Sequence, residues 1–394
     1  MKQKIVIIPA WYPNDAGNFE GIFIQNQAIS LSKTFDVKVL VPYQLPNFFG
    51  YLDLPRHLIN PSIKFDESRG FQVARMQIPR LTTQRWFENI NWHYYYKVVE
   101  KAFSNLIKFW GKPDVLHSHV VLPAGWLAMK LGRRYHIQVV LTEHTGPFSF
   151  HLQTPLQRQK VHETLLSVNR VVAVSPALAN DIHQFEPDIR IDTVGNLIRT
   201  DFFQPVTDQK LAWITHNPFR FLTIASYLTE AKGTHHLIEA VHILYKLEVQ
   251  DFTLFIGGNG PDYARLKQMV ESLGIASKVV FLGMLSQEQV LDWIQKTDLF
   301  ISPSLGETFG MLIAEAMSCG KPVIATRCGG PEFIVEPGTG ILVNKADPVD
   351  LAEAMESVLS GKVHFEPGMI RQSIVSRFGE EAFIRNITEI YQSL

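Results

Sequence analysis

Two glutamates stand close together in the second half of the chain, in a pattern that suits the binding of hydroxyl groups. The segment 304–323 reads SLGETFGMLIAEAMSCGKPV and places Glu307 and Glu315 with seven residues between them. An ionised carboxylate accepts several hydrogen bonds, and sugar hydroxyls are suitable donors for them. The two glutamates therefore predict a site that holds a polyhydroxylated ligand at two points.

The residues around the glutamates predict an amphipathic helix that starts near Phe309. Four apolar side chains at helical spacing form its buried stripe: Leu312, Ile313, Ala316 and Met317. The first amides of a helix have no partner within it and lie at the positive end of its dipole, a position that favours a diphosphate. We assign them to the first turn, which follows Thr308: Phe309, Gly310, Met311 and Leu312.

Distances along this helix suit a nucleotide sugar. At a rise of about 1.5 Å per residue, Glu315 lies roughly 10 Å from the helix start. This is comparable to the separation of the diphosphate and the ribose hydroxyls within one nucleotide. Glu307 precedes the helix and would face the other side, where the sugar of the same ligand would lie. The segment therefore predicts a pocket for a nucleotide sugar.

A purely structural interpretation of an isolated glutamate pair is more common. Glu307 could stabilise the helix dipole, and Glu315 could be a solvated helical residue. The context favours a ligand, because Glu315 lies in the apolar run LIAEAMSCG, where burying an unpaired carboxylate is costly. Gly306 and Gly310 also let a ligand approach the backbone closely.

The composition is that of an ordinary globular protein of one to three domains. The 394 residues are 46% apolar and 19% charged with a net charge of −1, so nucleic acid is not expected as a partner. Cys319 and Cys328 fit neither a disulfide framework nor a metal-ligand spacing, which favours a reducing compartment. No apolar run, including the one that Pro9 ends, is long enough for a signal peptide or a membrane span. We expect a cytoplasmic protein, with a peripheral contact to the inner face of the membrane left open.

Short apolar strands alternate with amphipathic helices in two series. Such strands with helical crossovers predict parallel sheets that are covered on both faces. The first series is Ile5–Ile8, Val37–Val41, Val115–His117, Val139–Thr142, Val171–Val174 and Ile191–Val194. The second is Arg220–Ala225, Thr253–Ile256, Val279–Leu282, Leu299–Ser302, Val323–Ala325 and Ile341–Val343. Each series has the size of one domain, so the predicted fold class is α/β with two Rossmann-like, doubly wound domains.

The domain bounds follow from where this alternation is interrupted. Pro205, Asn217 and Pro218 interrupt it, which predicts a first domain over 1–205 and a second domain over 206–378. The second would be the nucleotide-sugar domain, because it carries the glutamate pair. The last segment, 379–394, is predicted to be a helix with no strand after it.

One part of the first series is irregular and allows two interpretations. Tyr43–Pro79 is rich in proline, aromatic and polar residues, and Arg85–Trp110 carries many aromatic residues. The second stretch could be a packed helix under a long loop. It could also face an acceptor or a membrane, because Lys97, Lys101 and Lys108 interleave with its aromatic residues.

Further candidates lie at strand ends, where doubly wound sheets bind their ligands. Gly21 precedes the first helix, His119 follows the strand at 115–117, and His144 follows the strand at 139–142. One such histidine is usually structural, but two at neighbouring strand ends predict a shared polar pocket. Lys232 stands before a helix of the second series, where it could neutralise a phosphate.

Taken in their order along the chain, these motifs resemble those of the retaining glycosyltransferases of family 4. The most specific is SPSLGETFGMLIAEAMSCGKPVIATRCGGPEFI; weaker ones are WYP, GIFIQNQA, VLHSH, LTEHTG, VSPAL, TVGNLIRTDFF, KGTHHLIEA, FIGGNGPDYARL and FLGML. The resemblance covers nearly the whole chain. It implies the GT-B fold, in which two Rossmann-like domains face each other across a cleft and the C-terminal helix crosses back to the first. It also implies a nucleoside-diphosphate sugar as donor, retention of anomeric configuration, and no metal or other cofactor.

The resemblance also implies a role for each candidate. Glu315 would bind the donor ribose. The catalytic residues would be Glu307 on the sugar hydroxyls, Lys232 beside the diphosphate and His119 close to the transferred sugar. Further donor-binding residues would be Gly21, His144, Tyr227, Met284, Thr308, Phe309, Gly310, Met311 and Leu312. One position departs from the family: Tyr227 stands where many members carry an arginine that shares the diphosphate with the lysine.

We therefore expect a retaining transferase that moves a sugar to a glycan or lipid-linked acceptor in cell-surface polysaccharide synthesis. Lys232 and the helix amides would stabilise the departing diphosphate. A nucleotide-sugar epimerase on the same fold is an alternative, and its acid and base would have to come from Asp15, Glu20 or Glu143. A nucleotide-sugar-binding protein without turnover is a second alternative, suggested only by Tyr227.

Overall fold

A computed structural model describes residues 2–13, 21–44, 63–67, 70–78, 88–206, 218–249 and 251–394. The chain forms two compact units, each built on its own sheet. The first unit comprises Met1–Val174, Leu178–Leu197 and Ile384–Leu394, and the second comprises Ser175–Ala177 and Ile198–Phe383. Asp15, Glu20, Arg85 and most of the predicted linker after Pro205 lie outside the described residues.

The first unit has an eight-stranded sheet in the order β3-β4-β2-β1-β5-β6-β7-β8. Its strands are β1 Lys4–Pro9, β2 Asp36–Gln44, β3 Ile63–Asp66, β4 Gln72–Ile78, β5 Val115–His119, β6 Gln138–Glu143, β7 Arg170–Ala173 and β8 Ile191–Thr193. Its helices are α1 Ile22–Thr34, α2 Glu88–Trp110, α3 Trp126–Tyr135, α4 Pro155–Leu165 and α5 Pro176–His183. All pairings are parallel except β3 with β4, so the sheet is doubly wound with one antiparallel edge.

Strands β3 and β4 correct the prediction that Tyr43–Pro79 is irregular throughout. Strand β4 pairs in parallel with β2, and its side chains Val73 and Met76 are buried. Polar residues interrupt the apolar pattern here, because an edge hairpin covers less of the core than a central strand does. The sequence signal for these two strands was therefore weak.

Helix α2 packs against the sheet with most of its aromatic residues inward. Tyr95 is buried and donates a hydrogen bond to the carbonyl of Pro42 (2.5 Å), and Trp110 Nε1 donates to Asp36 Oδ2 (2.9 Å). Ile90 and Phe109 of the same helix are exposed. Of the two interpretations of this stretch, the packed helix accounts for Tyr95 and Trp110. Among the described residues, no helix is both long and apolar enough to cross a membrane.

The second unit has a six-stranded parallel sheet in the order β11-β10-β9-β12-β13-β14. Its strands are β9 Phe219–Tyr227, β10 Phe252–Asn259, β11 Val279–Gly283, β12 Leu299–Ser302, β13 Val323–Thr326 and β14 Gly340–Val343. Its helices are α6 Thr234–Lys246, α7 Tyr263–Ser272, α8 Gln287–Lys296, α9 Met311–Ser318, α10 Pro331–Ile334, α11 Pro348–Leu359 and α12 Pro367–Phe378. The last helix, α13 Glu380–Gln392, begins in this unit and continues into the first. The second core includes fully buried Leu254 and Ile256 of β10, packed beneath Leu237 and Val241 of α6.

The division between the units falls at Leu197, earlier than the predicted boundary at 205. Ile198 donates a backbone hydrogen bond to Phe378 (2.8 Å), which ties the segment to the end of α12. The Arg371 guanidinium donates to the carbonyls of Thr200 (3.0 Å), Phe203 (3.0 Å) and Ser318 (2.5 Å). These bonds join the segment to the second unit, and no local sequence signal marks partners so distant in the chain.

Replacing Arg371 with methionine should destabilise the second unit. The substitution keeps the aliphatic length but removes the donors, so carbonyls in a half-buried setting lose their partner. We expect the free energy of unfolding to fall by about 1–3 kcal/mol, measured by urea denaturation. The exposed Arg385 of α13 provides the control, since Arg385→Met should change stability by less than about 0.5 kcal/mol. Equal effects of the two substitutions would contradict the role of Arg371.

Candidate functional site

The strand order of the second unit reverses between β9 and β12, and residues that follow these two strands meet there. In open α/β sheets the crevice at such a reversal is where ligands bind. After β9, a short 3-10 turn at Glu230–Lys232 ends in Gly233, whose φ is +64°. A Cβ at Gly233 would lie 1.9 Å from the carbonyl oxygen of Pro303, so only glycine allows this approach to the loop after β12. Leu305 N also donates to Ala231 O (2.8 Å).

This packing brings Lys232 and Glu307 into direct contact. Lys232 Nζ lies 2.7 Å from Glu307 Oε1, and Ser304 Oγ donates to the same oxygen at 2.9 Å. The side chains of Lys232 and Glu307 are 33% and 21% exposed. The backbone of Glu307 is fixed as well, because its carbonyl accepts the amide of Gly330 (2.7 Å). Sequence reasoning did not single out Ser304, although its position at the end of β12 marks it as a candidate.

Helix α9 begins at Met311, two residues later than the predicted start at Phe309. Gly310 precedes it with a φ of +107°, and the bond from Ala314 N to Gly310 O (3.2 Å) closes the first turn. Phe309 is instead a core residue whose ring packs edge-on against Phe378 (5.2 Å). The amides that precede the first helical hydrogen bond are those of Met311, Leu312 and Ile313. The half-buried Thr308 lies in the loop before them.

Glu315 lies one turn into α9 and is half-buried. Loss of water raises the pKa of its carboxyl group to about 8, and the positive charge of Arg199 opposes this rise. Arg199 contacts Phe202 (4.6 Å from guanidinium carbon to ring centroid) and donates to Gln287 Oε1 (3.4 Å). Nothing in the local sequence connects Arg199 with Glu315, so sequence reasoning missed it.

Two other predicted donor-binding residues are exposed at the same edge of the sheet. Tyr227 ends β9 and is 64% exposed, and Met284 directly follows β11 and is 58% exposed. Both stand at carboxyl ends of strands, whereas Lys232 and Glu307 lie in the segments that follow β9 and β12. An aromatic ring and a thioether at such an edge can contact the face of a base.

The first unit has a corresponding reversal between β1 and β5, marked by Gly21 and His119. Gly21 caps α1 with a φ of +74°, and a Cβ there would lie 2.4 Å from the Trp11 carbonyl oxygen. His119 ends β5, and its Nδ1 lies 2.9 Å from Nε2 of His144, which follows β6. The structure therefore brings the two predicted histidines together. Near them, Gln27 Nε2 donates to Asn196 Oδ1 (3.1 Å), which joins the GIFIQNQA and TVGN motifs.

A third histidine, which sequence reasoning did not single out, supports this pair. His117 stacks on His119 at 4.5 Å between ring centroids, and its nitrogens contact Tyr391 Oη (2.7 Å) and Thr142 Oγ1 (2.8 Å). The spacing VLHSH was a usable signal, since alternate residues of a strand lie on one face. Tyr391 of α13 is too distant in the chain for any such signal.

Burial keeps all three histidines neutral at physiological pH. It lowers the pKa of His117 to about 3 and of His144 to about 4, and it holds the pKa of His119 well below its ordinary value. Nε2 of His119 is buried and has no hydrogen-bond partner within the described residues. His119 can therefore offer a ligand a hydrogen bond from a neutral ring, but not a positive charge.

Glu143, at the end of β6, is fully buried and fixes the backbone that follows β5 and β6. One of its oxygens accepts the amides of His144 (2.8 Å) and Thr145 (2.7 Å), and the other accepts that of Val121 (2.6 Å). Burial alone would raise the pKa of this carboxyl group, but hydrogen bonding and charge from His151 and the backbone bonds lower it overall. Glu143 is thus an ionised carboxylate whose lone pairs are used within the fold.

Comparisons with known proteins match two separate stretches of this chain to two family descriptions. A family described as Glycosyltransferase Family 4 matches residues 57–202, and Glycosyl transferases group 1 matches residues 210–373. The N-acetyl-alpha-D-glucosaminyl L-malate synthase of Bacillus anthracis is 30% identical over 288 residues, which cover 71% of this chain and 74% of that enzyme. A D-inositol 3-phosphate glycosyltransferase of Paenarthrobacter aurescens is 27% identical, over 63% of this chain and 64% of that one.

Solved structures share the fold over the whole chain. The sucrose-phosphate synthase of Thermosynechococcus elongatus has a TM-score of 0.75 at 20% identity, covering 100% of this chain and 99% of that one. HepE of Anabaena, in complex with UDP, has a TM-score of 0.73 at 19% identity and complete coverage of both chains. These neighbours have the GT-B fold, as the sequence motifs predicted. With two family matches and a 30% identical relative, the chain belongs to the group 1 glycosyltransferases.

Proposed function

We propose that this glycosyltransferase moves a hexosyl group from a UDP-sugar to a hydroxyl acceptor with retention of configuration. The observation that supports this most is the contact of Lys232 with Glu307 at the strand reversal of the second unit. A cation and a hydrogen-bonding carboxylate meet there, and the chain continues from Glu307 into the first turn of α9 at Met311. A ligand with a diphosphate and a sugar needs this combination. Anabaena HepE, with the same fold, was solved with UDP and with UDP-glucose.

The proposed roles follow the chemistry of each group. Lys232 and the α9 amides would stabilise the charge that develops on the departing diphosphate, the form of catalysis that fixed donors provide best. Glu307 would accept bonds from sugar hydroxyls and Glu315 from the ribose, while Tyr227 and Met284 would lie near the base. The neutral His119 would hydrogen-bond the transferred sugar through Nε2. The leaving phosphate would take the proton of the attacking hydroxyl on one face of the sugar, which retains its configuration.

For the acceptor we propose a glycan or lipid-linked hydroxyl, used at the membrane surface in polysaccharide synthesis. A small anionic acceptor is the second candidate, because the names of the relatives give L-malate and D-inositol 3-phosphate. A panel with L-malate, D-inositol 3-phosphate and lipid-linked oligosaccharides separates the two.

Epimerisation is less well supported than transfer. An epimerase needs a carboxylate that can gain and lose a proton beside the sugar. Glu143 holds three backbone amides and has a lowered pKa, so its place in the fold does not suit that task. Asp15 and Glu20 lie outside the described residues.

The first prediction from this proposal concerns the donor. UDP and one or more UDP-hexoses should raise the melting temperature, because a ligand that binds only the native state stabilises it. When the same UDP-hexose is incubated with the enzyme and the acceptor that it uses, UDP should be released and a glycoside formed. Proton NMR should show that the glycoside has the anomeric configuration of the donor. A free epimerised sugar nucleotide would support an epimerase. An inverted glycoside would contradict retention.

A second prediction concerns Glu315, whose environment disfavours its charge. Because the folded-state pKa of about 8 is above the ordinary value of 4.5, its contribution to stability is complete below about pH 4.5 and is lost as pH rises to about 8. Glu315→Gln should therefore be the more stable protein at pH 8 by roughly 1–3 kcal/mol. It should nevertheless bind UDP at least about tenfold more weakly, because it loses a carboxylate on the ribose.

The measurements are thermal unfolding between pH 5 and 8.5 and calorimetry with UDP. Glu353→Gln, at an exposed position of α11, is the control and should match the wild type in both. Unchanged UDP affinity in Glu315→Gln would remove Glu315 from the ribose site.

A third prediction concerns metal. We propose that Lys232 and the α9 amides neutralise the diphosphate in place of a divalent cation, because an ammonium group and the first amides of a helix can both bind phosphate oxygens directly. Turnover should persist with EDTA in excess over total protein. Loss of turnover that magnesium or manganese restores would show that a metal ion takes part.

A further inference from the structure

Lys232 and Glu307 form an ion pair with each other. The ammonium and the carboxylate are 2.7 Å apart, and Ser304 donates to the same carboxylate oxygen, Oε1, at 2.9 Å. Both side chains are mainly buried, with 33% and 21% exposure, so water screens their contact less than it would a surface pair. The proposed function assigns Lys232 to the diphosphate and Glu307 to the sugar. In the structure these two residues bind each other.

A free nucleoside diphosphate and a loaded donor meet this contact differently. A free diphosphate that binds Lys232 breaks the ion pair and leaves the carboxylate of Glu307 without a partner. An unpaired charge in a half-buried position is unfavourable. A donor that carries its sugar replaces both halves of the contact, since its phosphate bonds Lys232 while its hydroxyls bond Glu307. The ion pair therefore opposes the bare nucleotide more than the loaded donor.

We propose that the Lys232–Glu307 ion pair makes the site select the sugar-loaded donor over the free nucleoside diphosphate. The inference rests on the proposed function. After transfer, the sugar hydroxyls leave Glu307, and the carboxylate recaptures Lys232. The diphosphate product then loses its cation and dissociates faster, which matters wherever product release limits turnover.

The surrounding backbone confines this exchange to side chains. Gly233 packs on the Pro303 carbonyl on the lysine side. On the glutamate side, Gly330 N binds the Glu307 carbonyl at 2.7 Å, and a Cβ at Gly330 would lie 2.2 Å from the Phe309 carbonyl oxygen. With both loops fixed in this way, Lys232 changes partner by rotating its long side chain. The backbone positions of Lys232 and Glu307, and so the reach of one side chain to the other, are therefore set by the fold.

The test is the affinity for free nucleoside diphosphates, measured by calorimetry with UDP, ADP, GDP and dTDP; the tightest is used throughout. Glu307→Gln keeps the size of the side chain and its bond to Ser304 but releases Lys232. It should bind the diphosphate about three- to tenfold more tightly than the wild type and show stronger product inhibition. In Lys232→Met the diphosphate should bind more weakly, and adding Glu307→Gln to it should bring no gain.

Glu230→Gln is the matched control, because it removes an equal charge from the turn that carries Lys232. The Glu230 charge acts on His235 and Arg265, so this variant should keep the wild-type affinity. Should Glu307→Gln unfold below room temperature, Glu307→Asp takes its place, since its shorter carboxylate cannot keep the 2.7 Å contact and should also tighten binding.

The outcomes separate the inference from the proposed function. If Lys232→Met weakens diphosphate binding while Glu307→Gln leaves it unchanged or weaker, the donor site stands and the selection by the ion pair is wrong. If Glu230→Gln tightens diphosphate binding as much as Glu307→Gln does, the cause is the loss of a negative charge in general. That result would also overturn the inference. If no diphosphate binds, or Lys232→Met has no effect, the proposed function is wrong and the inference falls with it.

Discussion

The close approach of Gly233 to the Pro303 carbonyl is the contact on which the site of the second unit depends. The sheet order places β9 beside β12, and the loops after these strands can meet only if one of them has no side chain at the point of approach. Gly233 supplies that point, together with the left-handed backbone that ends the preceding turn. Lys232 then lies against the loop that carries Ser304 and Glu307. A larger residue at this position would separate the cation from the carboxylate, although both would still be in the chain.

The polar cluster of the first unit depends on a different factor, the burial of its side chains away from water. Three histidine rings are buried side by side at the ends of β5 and β6, and burial suppresses their charge. Tyr391 and Thr142 fix His117 through its two nitrogens, and His117 in turn limits how His119 can tilt. The result is a set of neutral hydrogen-bonding groups. The second unit, in contrast, has a charged pair, so the polar clusters of the two units differ in chemistry.

Much of the fold was predictable because the parallel strands are nearly continuous apolar runs. Strand β12 was predicted at Leu299–Ser302, where it lies. The strand ends singled out His119, His144 and Lys232 as candidates and the glutamate pair singled out Glu307, and their roles stay predictions. Local sequence patterns gave wrong element bounds where contacts with residues distant in the chain decide the structure. The start of α9 was placed too early because Phe309 continues the apolar pattern, whereas its ring is held by Phe378 from α12.

The partners of the site residues were the least predictable part. Arg199 influences Glu315 and Tyr391 contacts His117, although neither is near its partner in sequence. Local periodicity reports which face of an element is buried, but it carries no information about which distant side chain will lie opposite. The ion pair of Lys232 with Glu307 belongs to the same class, since each residue was assigned to a ligand and not to the other.

Two inward carboxylates show how surroundings decide between a structural and a ligand-binding role. Glu143 is enclosed by backbone amides and lies near His151, so its charge is compensated within the protein and its pKa is lowered. Glu315 meets desolvation, offset in part by the charge of Arg199, and its pKa is raised. A carboxylate of the first kind stabilises the fold that holds it. One of the second kind costs the fold stability whenever it ionises, and hydroxyl donors from a ligand would offset that cost. The second unit therefore keeps at Glu315 a carboxyl group whose negative charge its own packing disfavours.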